Sequence, residues 1–429
     1  MRKLGLYPLL LFLSLLGIFF LFLPSLVLAQ ESSEARERLL VQFRPALSLE
    51  ERLKFHRGLE AFPVGSIDAL KVEILEVIKG QAESTLEKLS RDPMVVYAEP
   101  DYKAFALELT NDPGIVNNLQ WGMFKIKAAN VDSSAWNFSK SNPSVNIAIL
   151  DTGIDQNHED LSSKIVSNKN CTNSVTVDDL YGHGTHVAGI AAALTNNGIG
   201  VAGVGYNASL MNVKVLDDGG SGYYSWIANC IVWAADNGAK VINMSLGGGA
   251  KSKTLENAVN YAWGKGVVIV AAAGNSGNTS PTYPGYYSNV IAVAATDQND
   301  RKASWSSYSN RWVDVAEPGV SIYSSFPNHP YTINKKLGYD YASGTSMATP
   351  HVAGLAALIW STEFGTGNSS VRNRIEGTAD KITGTGKYWI YGRVNALAAM
   401  GQNLNSAPLE EKKKSSTYLL PRIQPLSRF

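Results

Sequence analysis

From about residue 111 onward, short apolar runs rich in β-branched residues alternate with stretches of helical periodicity. Residues 146–150 (NIAIL), 210–216 (LMNVKVL), 240–246 (KVINMSL), 267–272 (VVIVAA) and 290–295 (VIAVAA) are hydrophobic at nearly consecutive positions. A strand with one wet face alternates, whereas a near-continuous run reads as a strand covered on both faces. Between the runs, Ile227, Cys230, Ile231 and Ala234 follow helical spacing within residues 224–237, and Gly238 ends the pattern. Leu255, Ala258, Val259 and Ala262 repeat it before Gly266. This alternation predicts an α/β architecture, a mostly parallel sheet with helices on both faces. Ligands of such sheets sit beyond the carboxyl ends of the strands. The residues just after each run are therefore where chemistry is expected.

The region before it has a different character. Residues 39–44 (LLVQFR) read as a strand ending at Pro45, and Ser48-Leu49-Glu50-Glu51 fits a capping box opening a helix to about Gly58. Residues 67–75 read as a strand, 82–91 as a helix ended by Asp92-Pro93, and 94–98 as a further strand. The whole, residues 38–104, is a small α+β unit that buries too little surface to be strongly stable alone.

At the N-terminus, Arg2 and Lys3 precede an uncharged stretch of 20 residues, 4–23, followed by Pro24 and Val27-Leu28-Ala29. Basic start, apolar middle and small-residue exit are the order of a secretory signal peptide, 1–29, which implies export. The stretch also matches the ~20 residues that span a bilayer. An uncleaved anchor is thus the one route to a membrane. Residues 30–37 read as a linker, and residues 402–429, polar with Lys412-Lys413-Lys414, as a loosely held tail.

Composition narrows the function. Lys plus Arg is 38 and Asp plus Glu 37, a net charge of +1, which gives no electrostatic reason to expect nucleic acid as a partner. Two cysteines exclude a disulfide-dense scaffold and a multi-cysteine zinc framework. Whether Cys171 and Cys230 pair is left open.

Three segments carry chemistry. Residues 147–154 (IAILDTGI) deliver Asp151 to the end of a strand. Gly182-His183-Gly184-Thr185-His186 opens an apolar helix. Gly344-Thr345-Ser346-Met347-Ala348 opens another. A serine hydroxyl is a weak nucleophile that needs an adjacent base. Imidazole accepts that proton near neutral pH and returns it to a leaving amine. A carboxylate on the far ring nitrogen fixes the tautomer and stabilises the imidazolium. A fourth part, donors for the developing oxyanion, is offered by Asn275 just past the run 267–272 and by the backbone N–H of Ser346. No H-E-x-x-H pattern accompanies His183 and His186, so a zinc protease is not indicated. His186 and His351 read as structural, and His56, His158 and His329 as surface residues.

The segments DTGID, GHGTHVAG, NMSLGG, AAAGNSG and GTSMATPHVAG, in this order, resemble the subtilisin family of serine proteases, in its thermitase-like branch. The resemblance spans about residues 111–400. It implies a subtilisin-like catalytic domain over 111–401, with Asp151, His183 and Ser346 as triad and Asn275 as oxyanion residue. Residues 38–104 resemble the family's inhibitory, ferredoxin-like prodomain. That makes the chain's own prodomain a partner, as folding chaperone and inhibitor, removed at a junction within 105–110.

The same match implies an extended peptide substrate held between two edges, Ser245-Leu246-Gly247-Gly248 and the stretch containing Gly220 and Gly222. Ala272, Ala273 and Gly274 are expected to line the main specificity pocket. Small residues and no carboxylate imply cleavage after bulky apolar side chains. The family's strong calcium site maps to Asp112, Asp160, Leu194, Asn196 or Asn197, Ile199 and Val201. Tyr283-Pro284 matches a segment whose peptide bond is often cis, with the isomer left open. The resulting expectation is a secreted, monomeric, calcium-stabilised serine endopeptidase.

Overall fold

The computed structural model describes residues 36–44, 49–102, 110–129 and 133–401. The signal, the tail, Ser48 and most of the junction lie outside the described residues. The chain divides into two compact units, Met1–Ala104 and Phe105–Phe429.

The first unit holds β1 (Arg36–Phe43), α1 (Leu49–Gly58), β2 (Phe62–Ile67), β3 (Val72–Ile78), α2 (Ala82–Ser90) and β4 (Val95–Pro100). The strands form one antiparallel sheet in the order β2-β3-β1-β4. Its core follows the two-residue period of β1. Leu39, Val41 and Phe43 are buried and meet Leu75, Val77, Leu89 and Val95. The single strand read over 67–75 is corrected to two. A 3-10 turn, Asp68–Leu70, and Lys71 at φ 55° fold β2 back onto β3. β2 leaves Phe62, Val64 and Ile67 exposed, and Pro63 and Gly65 interrupt its apolar alternation. His56 is a second correction: it is buried, with Nε2 2.9 Å from Glu73 Oε2.

The second unit is built on seven strands: β5 (Asn146–Asp151), β6 (Ile165–Asn170), β7 (Ser209–Lys214), β8 (Ala239–Met244), β9 (Val268–Ala272), β10 (Ile291–Thr296) and β11 (Val315–Pro318). All neighbours pair in parallel, in the order β11-β10-β9-β8-β5-β7-β6. Along β5, Ile147 and Ile149 point to one face and Ala148 and Leu150 to the other. Each face is covered. One packs on α3 (His183–Ala192), α6 (Thr345–Trp360) and α7 (Asn368–Gly377); the other packs on α4 (Tyr224–Asp236) and α5 (Lys253–Gly264). Removing a fully buried chain such as Ile149 would cost about 2–5 kcal/mol through lost transfer energy and the cavity left.

An antiparallel hairpin, β12 (Ile322–Phe326) with β13 (Gly338–Ala342), lies beside α3. Cys171, just after edge strand β6, is joined by a disulfide to Cys230 on α4. The Tyr283–Pro284 bond is cis. Among the described residues, no helix is long and apolar enough to cross a membrane.

Candidate active site

β5 ends on Asp151, whose side chain is fully buried. Asp151 Oδ1 accepts the Thr152 N–H at 2.8 Å and lies 2.7 Å from His183 Nδ1. The shared oxygen requires the imidazole proton on Nδ1, which leaves Nε2 with its lone pair. His183 opens α3, and this helix end packs closely on the Asp151 turn. A Cβ on Gly184 would lie 2.1 Å from the Gly153 carbonyl, so only glycine allows the approach. Burial alone lowers the His183 pKa. The Asp151 carboxylate, with Asp179 behind it, more than offsets this and leaves it raised above the usual 6.5.

Ser346 stands in the first turn of α6, partly exposed, where the helix dipole favours negative charge. Its hydroxyl donates to the Ser245 carbonyl at 3.0 Å, and Ser245 Oγ donates to the Ser346 carbonyl at 2.8 Å. The expectation of a closed Asp-His-Ser relay is therefore corrected in one link. Asp151 to His183 is formed, while the Ser346 hydroxyl is taken by Ser245. His183 and Ser346 nevertheless line one cavity of about 570 Å³, together with Asn275. Asn275 Oδ1 accepts the Thr345 N–H at 3.0 Å and the Thr345 hydroxyl at 2.9 Å. With its oxygen so engaged, its Nδ2 is the end left to donate.

The groove continues on both sides. His183 also borders a cavity of about 570 Å³ walled by Gly220, Gly222, Ser245, Leu246 and Gly248. Ser346 and Asn275 also border a pocket of about 310 Å³ lined by Gly247, Ala272, Gly274 and Thr282, with no charged side chain in its wall. Ala273 is a correction: its side chain packs in the core with Ala294, Val313, Ala316 and Trp389.

Two positioning groups had no signal strong enough to single them out. Asp179, fully buried, accepts the Thr152 hydroxyl (2.8 Å), the Gly182 N–H (2.7 Å) and the Thr185 N–H and hydroxyl (2.8 and 2.7 Å). It thereby ties the Asp151 turn to the start of α3. Burial raises its pKa against these lowering bonds. Lys214, equally buried, donates to the Thr152 carbonyl and lies 2.9 Å from Asp218 Oδ1. An acidic residue four positions before His183 was the only trace of Asp179 in the sequence.

Apart from the groove, Asp112 and Asp160 lie fully buried beside the loop after α3. Asp112 accepts the Asn196 N–H at 2.9 Å, and Asp160 accepts Asn197 Nδ2 at 2.8 Å and the Val201 N–H at 2.9 Å. The Leu194 N–H donates to the Asp160 carbonyl, and Ile199 N–H to Asn197 Oδ1. Asn197 rather than Asn196 turns its side chain to this cluster; Asn196 Oδ1 accepts the Asn111 N–H. Among the described residues no lysine or arginine pairs with either carboxylate, and burial raises the Asp160 pKa against its hydrogen bonds. Carboxylate oxygens are the ligand type that a hard divalent ion takes. His158 is a further correction. It is fully buried, accepting the Asp160 N–H at Nδ1 and facing the Gly338 carbonyl through Nε2.

Comparison with known proteins places this architecture among the serine endopeptidases. The chain belongs to the subtilase family, whose model matches residues 142–404, and a model described as the fervidolysin N-terminal prodomain matches residues 29–101. A thermophilic serine proteinase of Bacillus sp. (strain AK1) is 44% identical over 372 residues, 86% of this chain and 89% of that protein. Thermitase of Thermoactinomyces vulgaris is 52% identical over 291 residues, 68% of this chain and 98% of its own. A solved protease from Pseudoalteromonas arctica PAMC 21717 superposes with a TM-score of 0.61 at 32% identity, covering 68% of this chain and 99% of that one.

Proposed function

We propose that this chain is a secreted endopeptidase in which Ser346 attacks the scissile carbonyl, His183 carries the proton and Asp151 orients His183. The carrying observation is the 2.7 Å contact between His183 Nδ1 and Asp151 Oδ1 in a groove that Ser346 and Asn275 share. Rotation of the Ser346 hydroxyl away from the Ser245 carbonyl delivers its proton to Nε2; such bonds often tighten only once substrate is bound. The tetrahedral oxyanion is met by Asn275 Nδ2 and the Ser346 N–H. His183 then returns the proton to the leaving amine, and water repeats the sequence on the acyl-enzyme. The substrate backbone pairs with the edges at Gly220–Gly222 and Ser245–Gly248, and the uncharged pocket of about 310 Å³ takes a bulky apolar side chain. Residues 38–104 act as chaperone and inhibitor until the enzyme cuts itself free within 105–110.

A fluorophosphonate that labels Ser346 tests this reading, and an unlabelled mature protein would favour a binding protein without turnover. Asn275→Ala should lower kcat by about 10²–10³-fold with little change in KM, the scale of one oxyanion donor in subtilisin. Steady-state kinetics on an apolar-P1 peptide measures it.

Calcium is the ion proposed for Asp112, Asp160 and the carbonyls of Leu194, Ile199 and Val201, with the Asn197 amide turning so that Oδ1 meets the ion in place of the Nδ2 bond to Asp160. It would supply the positive charge that the two buried carboxylates lack. At a hundredfold excess over its Kd the ion contributes about 2.7 kcal/mol. Chelation should therefore lower the unfolding midpoint of the Ser346→Ala chain by several degrees. In Asp160→Asn the calcium response should shrink or vanish, as scanning calorimetry would show.

A further inference from the structure

A second cluster lies away from that site. Asp155 follows the β5 turn, Asp178 precedes α3, and His329 lies on the loop between β12 and β13. One ligand atom from each falls within 4.8 Å of the other two. The three loops are already laced together. The Asp155 N–H donates to Thr185 Oγ1 at 3.0 Å, Asp155 Oδ2 accepts the Asn328 N–H at 2.8 Å, and Asp178 Oδ1 accepts the Gln156 N–H at 3.2 Å.

What remains unengaged is specific. His329 Nδ1 lies 3.1 Å from the Pro330 carbonyl, to which it donates. That bond places the ring proton on Nδ1 and turns Nε2 inward. Nε2 is shielded from solvent, has no hydrogen-bond partner and lies 3.4 Å from Asp178 Oδ2. A lone pair facing carboxylate oxygens is repulsive, so a cation has to stand at Nε2, either a proton or a metal ion. A histidine whose other nitrogen donates to a carbonyl is the usual arrangement of a metal ligand.

We infer that Asp155, Asp178 and His329 form a binding site for a zinc-class divalent ion, distinct from the oxygen-only cluster at Asp112 and Asp160. An imidazole ligand favours zinc-like ions over calcium. With ligand bonds of about 2.1 Å, tetrahedral donors stand about 3.4 Å apart. Nε2 and Asp178 Oδ2 already have that spacing, and the Asp155 oxygen lies within 4.8 Å of both residues' ligand atoms. Water completes the coordination, as three protein ligands leave a position open. The bound ion fastens the 328–336 segment to the loop leading into His183. Ile333 and Lys335 of that segment line the cavity shared by His183 and Ser346, so the ion stiffens one wall of the groove.

The competing occupant is a proton in a His329–Asp178 ion pair. Burial lowers the His329 pKa, but the Pro330 carbonyl and the Asp178 and Asp155 carboxylates outweigh it and leave it raised. Metal binding therefore releases a proton and weakens as pH falls. The test uses the full chain carrying Ser346→Ala, saturated with calcium, and titrates Co²⁺ by visible absorption and Zn²⁺ by calorimetry. One ion should bind with nitrogen-ligand absorption bands, and Zn²⁺ in hundredfold excess over Kd should raise the unfolding midpoint by about 5 °C. His329→Gln and Asp178→Asn should each weaken uptake at least tenfold, with circular dichroism checking their fold, whereas Asp112→Asn should leave it unchanged. No uptake by the parent chain, or uptake that both variants leave intact, overturns the assignment and leaves the proton as the sole occupant.

Discussion

Ser346→Ala should lower kcat by about 10⁶-fold, the loss that removal of the nucleophile causes in subtilisin, where the triad acts as a unit. The expectation rests on placement. Ser346 stands in the first turn of α6, where the dipole favours the developing negative charge, and it borders the groove that His183 and Asn275 also line. Loss of the hydroxyl removes acyl transfer but not the oxyanion donors. A residual rate about 10³–10⁴ above water should therefore survive. The fold should not suffer, because among the described residues the hydroxyl makes a single bond, to the Ser245 carbonyl. The same variant should accumulate as one uncleaved chain with its first unit attached. Gel mobility and terminal sequencing would show it, and cutting within 105–110 in this variant would refute self-maturation.

Asp151→Asn should lower kcat by about 10⁴-fold at neutral pH. Asp151 Oδ1 accepts from both the Thr152 N–H and His183 Nδ1, and an amide in its place turns one donor toward another or releases the imidazole to the wrong tautomer. The pH dependence carries the sign of the change. The base works only when neutral, and the His183 pKa is raised chiefly by Asp151 against the lowering effect of burial. In the parent enzyme, activity should be full above that raised pKa and lost as pH falls through it, with the acid limb above 6.5. In Asp151→Asn the limb should move to lower pH, because burial then goes unopposed except by the more distant Asp179. A kcat/KM profile against pH for both proteins measures this, and an unmoved limb would show that Asp151 does not set the base.

The parallel core was legible because strands covered on both faces must be apolar at consecutive positions. Residues 146–150 and 267–272 needed no tertiary information to be read as such strands. Of the edge and hairpin strands, β4 alone was legible. β6 (IVSNKN) is polar at four of its six positions, β11 is four residues long, and β2 is exposed along its whole length. Asp151 and Asn275 could be singled out because each ends an apolar run near a glycine, and His183 and Ser346 because each stands at a glycine-flanked opening of an apolar helix. Asp179 and Lys214 could not, since their roles come from bonds to the Thr152 hydroxyl and carbonyl, set only when β5, β7 and α3 converge. His56 and His158 were misread as surface residues for a related reason. Their burial depends on Glu73 and on the Gly338 carbonyl, 17 and 180 positions away in the chain. The family resemblance implies Ala273 in the pocket with Ala272, but side chains alternate along β9 and its extension, which turns Ala273 into the core.

The most direct test is mass-spectrometric mapping of a fluorophosphonate on the mature enzyme and on His183→Ala. A single adduct on Ser346, formed rapidly in the parent and slowed by several orders of magnitude in His183→Ala, is the predicted result. Modification of another serine, or equal labelling in the two proteins, would contradict a nucleophile activated by His183.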